Sequence, residues 1–237
     1  MRGYTGAPQV PSYRRLQRIA GSSIGNKFLM AATGILLLLF LIGHLVGNLQ
    51  IFQGREAVNA YAKWLHDHGG LLWTARIGLL AVFCLHIFTA IRLTVQNRKA
   101  RPETYRHEDT LQASWASRHM LLTGIVVFAY VVFHLLHLTF RVIDTGGMGV
   151  ADAAGRLDVY GMLVSGFTHP AVAVAYVAAQ VLLGIHVWHA TASFFQTMGW
   201  DQPVLRRLVG WTAPTLAVLI SAGYISIPLA VWFGIVS

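Results

Sequence analysis

A single cysteine, Cys84, stands in a chain of 237 residues. One thiol cannot close an internal disulfide, complete a thiolate-held iron–sulfur cluster or attach a c-type haem covalently, so an electron carrier in this chain has to use other ligands. Charge is scarce as well: Asp, Glu, Lys and Arg make up 11% of the residues against 55% hydrophobic ones. The five long apolar stretches, roughly Lys27 to Phe52, Leu71 to Gln96, Arg118 to Val142, Pro170 to Gln196 and Gly210 to Ile235, contain no Asp or Glu at all. Ion-coupled transporters carry carboxylates along their pathway, so this absence argues against that class. The chain also has no low-complexity tract and no nucleotide-binding glycine motif, and no nucleic-acid partner is expected. The first apolar stretch is too long for a secretory h-region and no small-residue cleavage site precedes it, so it is expected to be retained.

About 20 apolar residues make one helical crossing of a bilayer. The five stretches therefore predict an all-α integral membrane protein with five transmembrane helices. Residues 1–26 form an N-terminal arm, and residues 27–237 form one membrane domain. The arm through Lys27, the loop from Arg92 to Arg118 and the loop from Thr197 to Arg207 hold 13 of the 18 Lys/Arg. By the positive-inside bias these three regions are cytoplasmic, which puts the N-terminus inside and the C-terminus outside. That face carries 13 basic against 4 acidic residues (Glu103, Glu108, Asp109, Asp201), while the outer loops balance at 5 against 5. Topogenesis and anionic lipid account for such a bias. The sharper reading is a docking face for a soluble partner.

Ser22 and Ser23 are cap candidates for the first long helix. Between Gln53 and Gly70 the spacing of Tyr61, Trp64, His66 and His68 predicts a short amphipathic helix at the interface. The Gly- and Ala-rich segment from Asp144 to Asp158 reads as flexible.

Against this background four histidines stand out, His44, His86, His134 and His186, one in each of the first four apolar stretches. An imidazole in hydrocarbon is costly, and a lone one serves as a packing residue about as often as a ligand. The depths of these four match in pairs. His44 lies 17 residues beyond Lys27 and His134 16 beyond Arg118, about 24 to 26 Å from the cytoplasmic end at 1.5 Å per residue. His86 lies 6 residues before Arg92 and His186 10 before Gln196, about 9 to 15 Å from the same face. Helices one and three thus share an outer level, and helices two and four an inner one. The arrangement predicts helices 1–4 bundled around two b haems, each with two axial imidazoles on its iron. Such a centre has no open coordination position and passes electrons rather than binding oxygen. Each helical hairpin carries one histidine in each of its helices, giving two similar halves plus a histidine-free fifth helix, although identity between the halves is weak. Two couples stay open at this level: His137 follows His134 by three residues and His189 follows His186 by three, so either member can face the interior. The second member would then be a propionate partner or an interfacial polar residue, a role that Arg118 and His119 could also fill. Gly34, Gly43, Gly47, Gly78, Gly124 and Gly184 allow close approach to a flat macrocycle, or ordinary helix packing.

These residues resemble a family, the single-subunit, five-helix dihaem cytochrome b558 anchors of succinate dehydrogenases and fumarate reductases. The resemblance is carried by the run from Ser23 to Gly34, by Gly43 and His44 followed by Gly47, Asn48 and Leu49, and by Asn59 with Tyr61. It continues with Leu85 and His86, Gly124 ten residues before His134, Gly184 to His189, and Phe195 to Trp200. It covers residues 22 to about 230. It implies that His134 rather than His137 and His186 rather than His189 are the ligands. It further implies two haem b groups, a flavoprotein and an iron–sulfur subunit on the cytoplasmic face, and a quinone, with menaquinone expected, as electron partner. The chain itself would be the non-dehydrogenase subunit of a succinate:quinone oxidoreductase. A multi-pass location in the bacterial inner membrane follows from the same resemblance, and a homo-oligomer of the complex is compatible with it. Two groups are quinone-site candidates: Asp67 with His66 at the outer end, and Ser23, Lys27, Trp115 and His119 at the inner end. Each has a plainer role as interfacial anchor, helix cap or solvated loop. The competing classes are the dihaem cytochrome b of a hydrogenase or formate dehydrogenase, whose catalytic partner lies outside, and a non-redox anchor or transporter.

Overall fold

The computed structural model describes residues 22–100, 119–143, 145–147, 149–200 and 202–237. Seven helices appear among them: α1 (Ser23–Asn48), α2 (Arg55–Asp67), α3 (Gly69–Lys99), α4 (Met120–His134), α5 (Val159–Thr168), α6 (Pro170–Thr197) and α7 (Pro203–Trp232). A 3₁₀ turn (Leu49–Gln53) extends α1, and a π-helical turn (Leu135–Thr139) extends α4. With these extensions five helices of 31, 31, 20, 28 and 30 residues are long and apolar enough to cross a membrane. At 1.5 Å per residue the shortest reaches about 30 Å, the thickness of the hydrocarbon core.

Local chemistry sets the ends. The Ser22 hydroxyl accepts from the Gly25 amide at 3.0 Å and starts α1, so Ser22 is the cap and Ser23 the first helical residue. Pro170 and Pro203 open α6 and α7, where a missing N–H costs nothing. The fifth crossing thus begins at Pro203, seven residues before the expected Gly210, because Arg206 and Arg207 continue the helix outside its apolar part. Inside the helices Thr33, Thr89, Thr94 and Thr191 donate to carbonyls one turn back, which satisfies hydroxyls where no water is at hand.

Helices α1, α3, α4 and α6 surround a common space. Close seams run between α1 and α3, α4 and α6, and α1 and α6, whereas α3 and α4 meet through the stacked rings of Phe83 and Phe128, 6.3 Å apart. Diagonal partners are therefore α1 with α4 and α3 with α6. The fifth crossing, α7, lies outside this ring along α6 and α1. Small groups let it approach: the Ser221 hydroxyl donates to the Gln180 carbonyl at 3.0 Å, Tyr224 donates to the Leu41 carbonyl at 2.7 Å, and a Cβ on Gly223 would stand 2.9 Å from Leu45.

We call the end where α1 and α4 begin the near side, and the opposite end the far side. The near-side connection 101–118 lies outside the described residues. On the far side a core of Ile51, Val58, Tyr160, Leu163, Phe167 and Tyr176 sits beneath α2 and α5. Helix α2 realises the amphipathic helix read from the sequence, but α5 is an addition, too short to cross and started by the Asp158 carboxylate accepting from Gly161. The described part of the segment 144–158 is not loose. Arg156 bridges Asp152 and Glu56, Arg55 pairs with Asp158, and the fully buried Asn59 donates to both Asp152 (3.0 Å) and Asp158 (2.9 Å) while accepting from the Tyr160 amide. Five of the charges counted as balancing in the outer loops are thus matched one against another in a polar clasp between α2 and this segment. Flexibility had been expected from its glycines; the distant partners on α2 override them.

Burial works to raise the Asp152 carboxyl, but hydrogen bonds from the Arg156 amide, the Asn59 side chain, the Arg156 guanidinium and the Ala154 amide outweigh it and hold the group at about 2. Asp158 is likewise held below the usual range: burial opposes this, and Asn59, the Gly161 amide and Arg55 prevail. Carboxyls depressed in the folded state stabilise it above their unfolded value, and that contribution is lost as pH falls through the folded one. The clasp is therefore expected to hold at neutral pH and to loosen as pH drops from about 4 towards about 2, read as faster amide exchange over 149–160 with the crossings unchanged. Asn59→Ala should produce the same local loosening at pH 7 at a cost of about 1–3 kcal/mol; exchange there as slow as in the parent chain would contradict the assignment.

Candidate functional site

The space between α1, α3, α4 and α6 is a cavity of about 2530 Å³, against about 300–1,000 Å³ for an ordinary small-molecule pocket. His44, His86, His134 and His186 all line it. His44, four residues before the end of α1, meets His134 of the diagonal helix α4, with ring centroids 5.9 Å apart and planes at 85°. Phe40 stacks on the His44 ring at 5.2 Å and Tyr224 lies at 6.2 Å. Nearer the other end His86 of α3 and His186 of α6 line the same cavity, within electrostatic reach of each other. The four imidazoles thus form two pairs at two levels.

The His86/His186 pair is oriented by two threonines. Thr33 Oγ1 lies 3.0 Å from His86 Nδ1, and Thr123 Oγ1 lies 3.3 Å from His186 Nδ1. Each is followed by a glycine whose added Cβ would stand 3.6 Å from Cε1 of the same imidazole, Gly34 for His86 and Gly124 for His186. Metal-bound histidines characteristically carry such a hydrogen bond on the nitrogen away from the metal.

Of the two couples left open by the sequence, one separates. His137 lies on the π-helical turn, has no exposed surface, and has both nitrogens engaged, Nδ1 with Tyr176 at 3.0 Å and Nε2 with Thr145 at 3.1 Å. It is turned towards Gly166 rather than into the cavity, so it packs α4 against α5 and has no nitrogen to offer a propionate. His134 keeps only a longer contact, Nδ1 to the same Tyr176 hydroxyl at 3.3 Å. His186 and His189 both line the cavity, and the His189 Nε2 lies 2.9 Å from the Ser193 hydroxyl.

The remaining candidates scatter. Lys27 lines the near-side part of the cavity, whereas Ser23 is exposed on the first turn of α1. His119 stands at the start of α4. His66 and Asp67 end α2 away from the cavity, His66 bonded to the Ala62 carbonyl and Asp67 ion-paired with Lys63. Arg118 and Trp115 lie outside the described residues. Two cations that sequence reasoning passed over also line the cavity: Arg98 near Lys27, and Arg76, which lies over the Trp73 ring at 5.2 Å. A cation within or at the edge of an apolar stretch was the available signal.

Among the described residues no group of three or more His, Cys, Asp or Glu could hold a bare metal ion. Two imidazoles per level suit instead an iron that brings its own equatorial nitrogens, and the large apolar cavity suits a flat macrocycle around it. Comparison with protein-family models, curated proteins and solved structures gives no match to this chain.

The packing role of His137 has a consequence for stability. His137→Ala leaves the hydroxyls of Tyr176 and Thr145 without a shared partner, so the thermal midpoint in detergent should fall by the equivalent of about 1–3 kcal/mol. An unchanged midpoint would refute the role.

Proposed function

We propose that this chain is the membrane anchor and electron-transfer subunit of a succinate:quinone oxidoreductase. His44 with His134, and His86 with His186, each hold one haem b. The observation that carries this reading is the pairing of four intramembrane imidazoles at two levels of one large cavity. The resemblance to the cytochrome b558 anchors supplies the rest: a flavoprotein and an iron–sulfur subunit docked on the near, cytoplasmic side, a quinone in the membrane, and a bacterial inner-membrane setting.

When bound, each haem iron supplies one-electron chemistry, ferric to ferrous and back. The protein's part is to hold and shield. His44 with His134, and His86 with His186, would hold the two groups through their imidazole nitrogens and so would keep oxygen from binding. Apolar walls from Leu38, Leu41, Val131 and Leu183 keep water from the path. Lys27 and Arg98 at one end, and Arg76 at the other, offer positive charge to the propionates of the two macrocycles. Oxidation of succinate to fumarate on the missing subunits would release two electrons and two protons, and reduction of quinone to quinol would take up two of each. Among the described quinone-site candidates, Lys27 lines the cavity.

Purified from haem-replete cells, the chain should contain two b-type porphyrins per polypeptide and show a b-type α band on reduction. Substantially fewer than two would overturn the proposal. His134→Ala should lose one porphyrin and His137→Ala none. Loss of both His86 and His186 should abolish quinone reduction by succinate in the intact complex. Co-purification of a flavin-containing partner separates this reading from the hydrogenase or formate dehydrogenase type, for which none is expected.

A further inference from the structure

The two threonines beside the inner imidazoles share an unusual hydrogen-bond state. Thr33 Oγ1 lies 2.8 Å from the Leu29 carbonyl and 3.0 Å from that of Met30, and Thr123 Oγ1 lies 3.0 Å from the Met120 carbonyl. A hydroxyl has one proton, and in both cases it is committed to the threonine's own helix. Towards the imidazole each oxygen can then only accept. With the hydroxyl protons kept on the helix carbonyls, His86 and His186 would donate from Nδ1, which would leave the lone pair on Nε2. Both threonines are about 3% exposed, so water does not compete for these contacts.

The same device appears twice in the chain. Met30, Thr33, Gly34 and Ile35 precede His44, and Met120, Thr123, Gly124 and Ile125 precede His134, with identical spacing and ten residues from each glycine to the histidine. Each copy serves the histidine of the neighbouring helix rather than its own: Thr33 of α1 reaches His86 of α3, and Thr123 of α4 reaches His186 of α6. In the His44/His134 pair the hydroxyl contact is of another kind, made by a tyrosine to His134 alone, at 3.3 Å. Phe40 stacks on His44, and His134 shares the Tyr176 hydroxyl with His137.

We propose that Thr33 and Thr123 are positioning residues for the His86/His186 site, fixing both imidazoles with the proton on Nδ1 and setting the redox potential of that centre apart from the other. The inference rests on the haem reading above. An imidazole donating from Nδ1 to a committed acceptor is a more basic ligand, and more basic axial ligands favour ferric over ferrous iron. Two threonine hydroxyls that already bond their own helices on one centre, against one tyrosine hydroxyl shared between His134 and His137 on the other, make the two centres unequal.

The test compares Thr33→Val with Thr123→Val, singly and together, against Thr33→Ser and Thr123→Ser in the purified full-length chain. Porphyrin content, the midpoint potential of each centre and the low-temperature electron paramagnetic resonance of the ferric forms are recorded. Valine keeps the shape of threonine without the acceptor. It should move the midpoint of the His86/His186 centre to a more positive value, additively for the two sites, and shift that centre's resonance. The other centre should stay where it is, and the serine variants should match the parent chain. If valine lowers porphyrin content while serine keeps two per chain, the positioning role also stands. Two porphyrins with both midpoints unmoved by valine, or serine acting like valine, would overturn it. A parent chain without porphyrin would instead remove the haem reading itself.

Discussion

Hydrocarbon offers a polar atom nothing to bond to, and this chain places imidazoles, hydroxyls and an amide within spans of 20 to 31 residues. The way each is accommodated organises the structure. Threonine hydroxyls turn back on their own helices; the Gln180 side chain donates to Tyr130 at 2.8 Å across α6 and α4; His137 is closed off by Tyr176 and Thr145. His44, His86, His134 and His186 follow a different rule. They stand along a space large enough for another molecule, and those of the His86/His186 pair are bonded on one nitrogen by threonine with the other left for a ligand. That contrast separates a histidine closed off by packing from histidines with open space beside them.

Much of this was legible in the chain itself, for identifiable reasons. Apolar runs above 20 residues name their crossings without tertiary information, and His44, His86, His134 and His186 are conspicuous because almost nothing else in those runs ionises. Their levels follow from counting residues along a regular helix, so the proximity of His44 to His134 needed no contact information. What stayed hidden depended on which way a side chain turns. His134 and His137 lie three residues apart, and only the π-helical turn from Leu135 to Thr139 decides that one faces the cavity and the other faces α5. Thr33 and Thr123 passed for ordinary helix residues because their partners lie 53 and 63 positions away.

The connections were the hardest part to read. Asp152, Asp158 and Arg156 sit in a stretch whose glycines and alanines signal looseness, and nothing local contradicts that signal. Their partners Arg55, Glu56 and Asn59 are between 93 and 103 residues earlier. Order here comes from matched charge between two segments that are each unremarkable alone. Equal numbers of acids and bases in the outer loops were the only trace of it.

The clasp between α2 and the segment ending at Asp158 has a mechanical meaning. One hairpin, α1 with α3, supplies His44 and His86; the other, α4 with α6, supplies His134 and His186, so each level takes one imidazole from either hairpin. The hairpins are tethered covalently at the near side, and Asn59 with its ion pairs buckles them together at the far side. A group held between imidazoles of the two hairpins, as proposed above, would tolerate little change in their separation. The buckle acts as a spacer gauge, holding the jaws of a two-jawed clamp at a set width at the end where the chain alone would let them spread.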